Sequence, residues 1–177
     1  MKAGVVGAGL MGAEIALVFA LAGHEVLLHD SNDETLAGAL ERLSGILDKG
    51  VARQFYEADK ASAALSRIAP VHSIAAMADC AMIIEAVYES LDAKAEVLRA
   101  LDEACGPDSI IATNTSTLPI STLAAVLPPQ RRAHFLGTHY FSPVSRMKLV
   151  EVIPGFATDA AVTDEVVAIL QDIAKQP

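Results

Sequence analysis

The chain has 177 residues, 53% of them apolar, and a net charge of −9. That length fits one domain, at roughly 100–200 residues per domain, and it supplies enough apolar side chains for a sizeable core. The excess of 22 acidic over 13 basic residues argues against a general nucleic-acid binder, which needs a basic surface to displace counterions.

The first predicted element is a short apolar strand, Ala3 to Val6. Gly7-Ala8-Gly9-Leu10-Met11-Gly12 follows, then a helical pattern from Ala13 to Ala22. A second apolar run, Val26 to His29, ends at Asp30, eighteen residues after the last glycine. This is the layout of a dinucleotide-binding βαβ unit. Gly7 allows a tight turn, Gly9 lets the backbone approach a pyrophosphate, and Gly12 lets the helix lie close to the strand. The helix N-terminus offers free N–H groups and a positive dipole end to the phosphates. Leu10 and Met11 lie inside the same candidate site. Asp30 can accept hydrogen bonds from a ribose 2′-OH and would repel a 2′-phosphate. Ser31, Asn32 and Asp33 supply no arginine to hold such a phosphate, so the expected cofactor is NAD rather than NADP. The competing role for Asp30 is as the cap of the next helix.

Ser31, Asn32 or Asp33 caps a helix that runs to about Lys49. The alanine-rich residues 51–66, with Arg53, Glu57, Asp59 and Lys60, predict another helix, and Arg67 to Val71 a short strand. Ala81 to Val87 is a strongly apolar strand with Glu85 and Glu89 at its end. Leu91 to Ala104 is helical and stops at Gly106-Pro107. Ser109 to Thr113 is a strand, and Pro119 to Leu127 is a short helix ended by Pro128-Pro129. His134 to Tyr140 and Met147 to Ile153 are two further strands. Thr163 to Lys175 is the final helix, with Thr158 or Asp159 near its start. No strand is predicted after it, where a doubly wound sheet would normally continue. The alternation predicts an α/β fold: a Rossmann-type, doubly wound, mostly parallel sheet with flanking helices. Residues 1–177 would form one NAD-binding domain that stops before its last strand.

Cys80 and Cys105 are too few for a disulfide framework and form no C-x-x-C pair, so reduced structural thiols and a cytoplasmic location are expected. Residues 3–22 imitate a signal peptide. However, Lys2 is their only positive flank, Glu14 interrupts the run, and the glycine motif accounts for the same residues. Elsewhere no run of about 18 apolar residues suggests a membrane span. Asn114-Thr115-Ser116 matches a glycosylation sequon and is set aside in a chain without a secretion signal. No metal site is expected.

The second informative stretch runs from Gly137 to Ile153. It places His139 on or just after one strand and Glu151 twelve residues later in an adjacent strand, across a turn at Ser142-Pro143. A carboxylate on one imidazole nitrogen fixes the tautomer and leaves the other nitrogen free as a base. Alone, such a pair is more often a packed structural one; beside an NAD site it makes a dehydrogenase dyad.

At this point the chain resembles the 3-hydroxyacyl-CoA dehydrogenase family. The matching pieces are the glycine motif at 7–12, Glu85-Ala86-Val87-Tyr88-Glu89 followed by Lys94, Thr113 to Ile120, and His139 to Ile153. They come in the family's order and span almost the whole chain. The Tyr140-Phe141-Ser142-Pro143 form is similar to the dehydrogenase module of multifunctional fatty-acid oxidation proteins. The start at Met1, just before the glycine motif, is similar to the stand-alone enzymes, including 3-hydroxybutyryl-CoA dehydrogenases.

The resemblance implies NAD-dependent oxidation of an (S)-3-hydroxyacyl-CoA to a 3-ketoacyl-CoA, in fatty-acid β-oxidation or short-chain acyl-CoA metabolism. His139 would be the acid/base, Glu151 its orienting partner, and Ser116 a contact to the substrate's 3-oxygen and the nicotinamide side. Asp30 would hold the ribose, and Met11, Glu89, Lys94 and Asn114 would line the NAD site. Ser142 stands near the cofactor where many members have asparagine, and Thr113 stands where serine is usual. Arg53 or Lys49, in the stretch that resembles the family's CoA-contacting tail, are candidates for the CoA phosphates; the alternative for each is an ordinary solvated charge. The family continues with one more stretch of sheet and an all-helical domain, which supplies a catalytic asparagine, closes over the acyl-CoA and makes the dimer contact. A chain without them is expected to bind NAD(H) and to be a weak or inactive dehydrogenase, with a homodimer only in the full-length form. Two other readings are a relative acting on a free hydroxy acid and a non-catalytic NAD-binding module.

Overall fold

In the computed structural model, which describes residues 1–177, β1 (Lys2–Val6) lies inside a seven-stranded sheet. The chain runs through α1 (Leu10–Leu21), β2 (Glu25–His29), α2 (Asp33–Ala52), α3 (Ala58–Ser66), β3 (Ile68–Val71) and a 3₁₀ turn at Ile74–Met77. It continues with β4 (Met82–Glu85), α4 (Leu91–Ala104), β5 (Ile110–Thr113), α5 (Ile120–Ala124) and α6 (Pro129–Arg132). It closes with β6 (Phe135–Tyr140), β7 (Val150–Pro154) and α7 (Ala160–Asp172). The strand order is β3-β2-β1-β4-β5-β6-β7, parallel throughout except for β7, which pairs antiparallel with β6. The expected doubly wound α/β sheet is therefore present, with the order reversal between β1 and β4 that opens a crevice at the carboxyl ends of the strands.

Each helix reads its burial off its sequence. In α1 every residue from Gly12 to Ala20 is buried, as suits a helix apolar on all sides. The close approach rests on Gly12: a Cβ there would sit 1.8 Å from the carbonyl oxygen of Gly7. Gly7 itself has φ of 101°, a conformation open chiefly to glycine. In α2 only one stripe is buried (Leu36, Ala39, Leu43 and Leu47). Asn32 is its cap, accepting the Thr35 N–H at 3.0 Å, with Asp33 and Glu34 complementing the dipole in the first turn. One apolar core joins α1, α2, α3 and α7 to one face of the sheet, and the other joins α4 and α5 to the opposite face.

Several boundaries differ from the sequence reading. Residues 51–66 do not form one helix. α2 ends at Ala52, and Gln54 takes a left-handed conformation, φ 61°. Phe55 then donates to the carbonyl of Gly50 and Gln54 to that of Val51, the hydrogen bonds of a Schellman stop. The same device ends α7 at Asp172 rather than Lys175: Ala174 has φ 60°, Lys175 donates to Leu170 O and Ala174 to Gln171 O. The residues after it are not free of the sheet. Gln176 bridges Leu149 in parallel, donating to Lys148 O and accepting from Val150 N–H. β7 begins at Val150, not Met147, and the short helix α6 was not foreseen. Buried Arg131 on α6 donates to Asp102 and to the carbonyls of Cys105, Gly106, Pro107 and Ser109, tying the end of α4 to the start of β5. No helix is long and apolar enough to cross a membrane, and no cluster of three metal-ligating side chains forms. Cys80 and Cys105 are buried free thiols, and burial pushes Cys80 up to about 11.

Candidate active site

The carboxyl ends of the strands gather most of the residues singled out in the sequence. After β1, the helix α1 starts at Gly9 with no side-chain cap and no acidic residue in its first turn. Its leading N–H groups are left for an anionic ligand. Asp30, at the end of β2, accepts the Ala8 N–H at 2.7 Å through Oδ2 and the Asn32 N–H at 2.9 Å through Oδ1. It thus braces the glycine loop, while Asn32 is the helix cap. Between them opens a cavity of about 500 Å³, with Gly7, Gly9 and Asp30 on its polar side and Ile74, Val87 and Val97 among its apolar walls. An apolar slot beside a carboxylate and an uncapped helix start fits adenine, ribose and pyrophosphate in turn. Leu10 is exposed and Met11 half-buried at the same helix start. Arg42, which the sequence did not flag, donates from α2 to the Ala8 carbonyl at 2.9 Å.

Glu85, Glu89 and Lys94 form the next layer. Glu85 and Lys94 have no exposed side-chain surface, and Lys94 Nζ lies 2.9 and 3.2 Å from the two Glu85 oxygens. The Thr113 hydroxyl donates to Glu85 at 2.6 Å. Lys94 therefore stands behind the cavity wall rather than on it, with its Nζ 3.6 Å from Glu89 Oε2. Glu89 in turn faces the loop after β5. Its Oε1 accepts the Thr115 hydroxyl at 2.5 Å, the Ser116 N–H at 2.9 Å and both the N–H and hydroxyl of Thr117 at 3.0 Å.

Burial alone would raise the Glu89 carboxyl, but these donors outweigh it and hold it down at about 2. A folded-state value below the unfolded one stabilises the fold above about pH 4.5, and this contribution is lost as pH falls toward 2. Acid unfolding followed by circular dichroism should therefore be less steep over that window in Glu89→Gln than in the wild type.

The loop that Glu89 holds presents Ser116. Its Oγ lies 3.2 Å from His139 Nε2, and His139 Nδ1 lies 2.7 Å from Glu151 Oε2. His139 and Glu151 are directly paired residues of β6 and β7, and opposed residues of an antiparallel pair share a face. Because an ionised carboxylate only accepts, Nδ1 carries the proton toward Glu151 and Nε2 is left as the acceptor. The ring of Phe141 lies 4.6 Å from that of His139. Asn114 Oδ1 accepts the Tyr140 N–H at 3.0 Å, linking β5 to β6 beside the histidine. Ser142 is exposed on the loop after β6 and does not line the 500 Å³ cavity.

Lys49 and Arg53 share a second cavity of about 530 Å³. Arg146, from the loop after β6, joins them there, its guanidinium 5.8 Å from the Phe55 ring centroid. Ser116, His139 and Glu151, from three different elements, form one hydrogen-bonded line. Such a line can move a proton to or from an oxygen placed beside it.

A crevice fit for a dinucleotide at the strand ends of a doubly wound sheet, with a hydrogen-bonded His139–Glu151 pair on the neighbouring strands, is the arrangement of a Rossmann-type dehydrogenase domain. The chain belongs to the 3-hydroxyacyl-CoA dehydrogenase family: the model of that family's NAD binding domain matches residues 2–177. It is 39% identical to 3-hydroxyadipyl-CoA dehydrogenase of Escherichia coli K12, over 98% of its own length and 36% of the relative's. It is 35% identical to 3-hydroxybutyryl-CoA dehydrogenase of Bradyrhizobium diazoefficiens, over 99% and 59%. The crystal structure of 3-hydroxybutyryl-CoA dehydrogenase from Escherichia coli K12 superposes with a TM-score of 0.96 at 37% identity, covering all of this chain and 37% of that one. The chain thus spans well under two thirds of the length of these relatives.

Proposed function

We propose that this chain carries the NAD-binding and proton-transfer part of an enzyme that oxidises (S)-3-hydroxyacyl-CoA to 3-ketoacyl-CoA. The observation that carries the reading is the Ser116–His139–Glu151 line at the end of a sheet whose other strand ends fit NAD. Bound NAD⁺ supplies the hydride acceptor for the substrate's C3. His139 Nε2 takes the proton of the 3-hydroxyl, Glu151 stabilises the imidazolium that results, and Ser116 Oγ holds the 3-oxygen beside Nε2. In the reverse direction the imidazolium returns the proton to the 3-oxygen. Lys49 and Arg53, joined by Arg146, hold the CoA phosphates. A cytoplasmic setting, in which Cys80 and Cys105 stay reduced, belongs to the same proposal, as does dimerisation of a full-length form.

The test is NADH oxidation with acetoacetyl-CoA and with free acetoacetate, in a form spanning the full length of the relatives. The thioester should be strongly preferred; equal rates would favour a free hydroxy acid as substrate, and no turnover a binding module. The 177 residues assayed alone should bind NADH but turn over slowly. The Glu151 side chain is 51% exposed and Ser116 is exposed, so water competes around the dyad.

Cofactor choice is tested at Asp30. The wild type should bind NADH at least about tenfold more tightly than NADPH, equivalent to about 1.4 kcal/mol. Asp30→Ser should narrow that gap, since the carboxylate that would repel a 2′-phosphate is then gone. Equal affinity of the wild type for both cofactors, measured by fluorescence titration, would overturn the assignment.

A further inference from the structure

Two buried charged side chains that take no part in the proposed proton transfer converge on the loop between β6 and β7, one of them, Glu14, also lining the Lys49–Arg53 cavity. Glu14, on α1, is 6% exposed, and its Oε2 accepts the Ser145 N–H at 2.9 Å. Lys175, just past the Schellman stop of α7, is 8% exposed and donates to the carbonyls of Val144 and of Met147, the latter at 2.8 Å. The two charges act on each other as well: burial lowers the Lys175 ammonium, and Glu14 opposes that shift. Between them they satisfy one N–H and two carbonyls of a tight turn in which Arg146 and Met147 already donate to Pro143 O.

This loop is short and joined at both ends to the dyad. Its first residue, Phe141, lies against the His139 ring. Its last residues feed β7, where Glu151 pairs with His139. A shift of the 143–147 turn therefore moves the ring support of one partner and the strand of the other. An apolar residue at position 14 or 175 could fill the space, but it would leave the part-buried Ser145 N–H, or the carbonyls of Val144 and Met147, without their side-chain partner.

We propose that Glu14 and Lys175 are positioning residues: by gripping the 143–147 turn from α1 and from the segment after α7, they set the alignment of His139 with Glu151. The proposal rests on the functional reading given above. It also ties the helix that begins at the cofactor loop to the loop that supports the base.

The experiment follows the imidazole Nδ1–H proton resonance of His139, which its bond to Glu151 moves downfield and which is identified by its loss in His139→Gln. It is recorded for the 177-residue chain, together with NADH affinity, while kcat with acetoacetyl-CoA is measured in the full-length form. Glu14→Gln, which still offers an oxygen to Ser145, should keep the resonance. Glu14→Met and Lys175→Met should lose or broaden it and lower kcat about tenfold through misalignment, with NADH affinity within about twofold. Retention of both the resonance and kcat in Glu14→Met would overturn the proposal. If the methionine variants fail to fold, amide exchange of the wild type decides: a protected Ser145 N–H with a Glu14→Gln resonance like wild type supports it, and an unprotected Ser145 N–H overturns it. Unchanged kcat in His139→Gln would instead overturn the functional reading, leaving the clamp to be judged on the resonance.

Discussion

Replacing His139 with Gln should lower kcat by roughly 10²–10⁴, the usual share of general acid–base catalysis, while NADH affinity stays near the wild-type value. Glutamine can hydrogen-bond to Ser116 but cannot carry a proton away from the 3-hydroxyl. Glu151→Gln keeps the shape of the pair and removes the charge that stabilises the imidazolium, so kcat should fall here too, with little change in NADH binding. It should fall less, since the imidazole itself remains. Steady-state rates in both directions, in the full-length form, check this. A near-normal kcat in His139→Gln would rule out the mechanism.

Lys94→Met should cost about 3–5 kcal/mol of folding stability, the scale expected when one member of a buried ion pair is removed and the other is stranded. The stranded group is Glu85, which has no exposed side-chain surface. Its remaining donors, Thr113 and the Val87 N–H, do not neutralise it. The double variant Glu85→Gln with Lys94→Met should recover much of the loss, because no bare charge is then buried. Urea unfolding of the wild type and the two variants measures both effects. A loss below about 1 kcal/mol in Lys94→Met, the range of an exposed pair, would show that Glu85 is solvated or protonated in the fold.

The parts of the site that were legible in the sequence are those set by local spacing. Gly7, Gly9, Gly12 and Asp30 lie on one βαβ unit, whose geometry fixes where an acid at the tip of the second strand must fall. His139 and Glu151 are paired strand residues joined by a short loop, so their separation already implied contact. What was hidden depends on chain segments far apart. The resemblance put Lys94 on the wall of the NAD site, and its burial against Glu85 shows only once α4 is laid over β4. Arg131 gave no signal because its partners are mostly backbone carbonyls. Arg146 meets Lys49 and Arg53 only after β6 and α2 are brought together. The break at Arg53–Glu57 was missed for a chemical reason: glycine advertises a left-handed helix stop, and here the position is Gln54. Ala174 conceals the end of α7 in the same way, and with it the inward turn of Lys175.

The contacts of Glu89 bear on a reaction the site must avoid. A serine, a histidine and a carboxylate in one hydrogen-bonded line are also the working parts of a serine hydrolase, and a thioester is a good acyl donor for such a line. Hydrolysis needs more than a nucleophile; it needs N–H groups aimed at the developing oxyanion, and loss of one such donor costs about 10²–10³ in rate. The backbone amides of Ser116 and Thr117, the N–H groups at and just after the serine, both point at the Glu89 carboxylate instead. An oxyanion there would find its donors occupied and a negative charge, held at a carboxyl value of about 2, beside it. On the proposed reading, the same carboxylate that holds the Ser116 loop would keep Ser116 from acting as an acyl acceptor and leave a thioester's acyl bond intact.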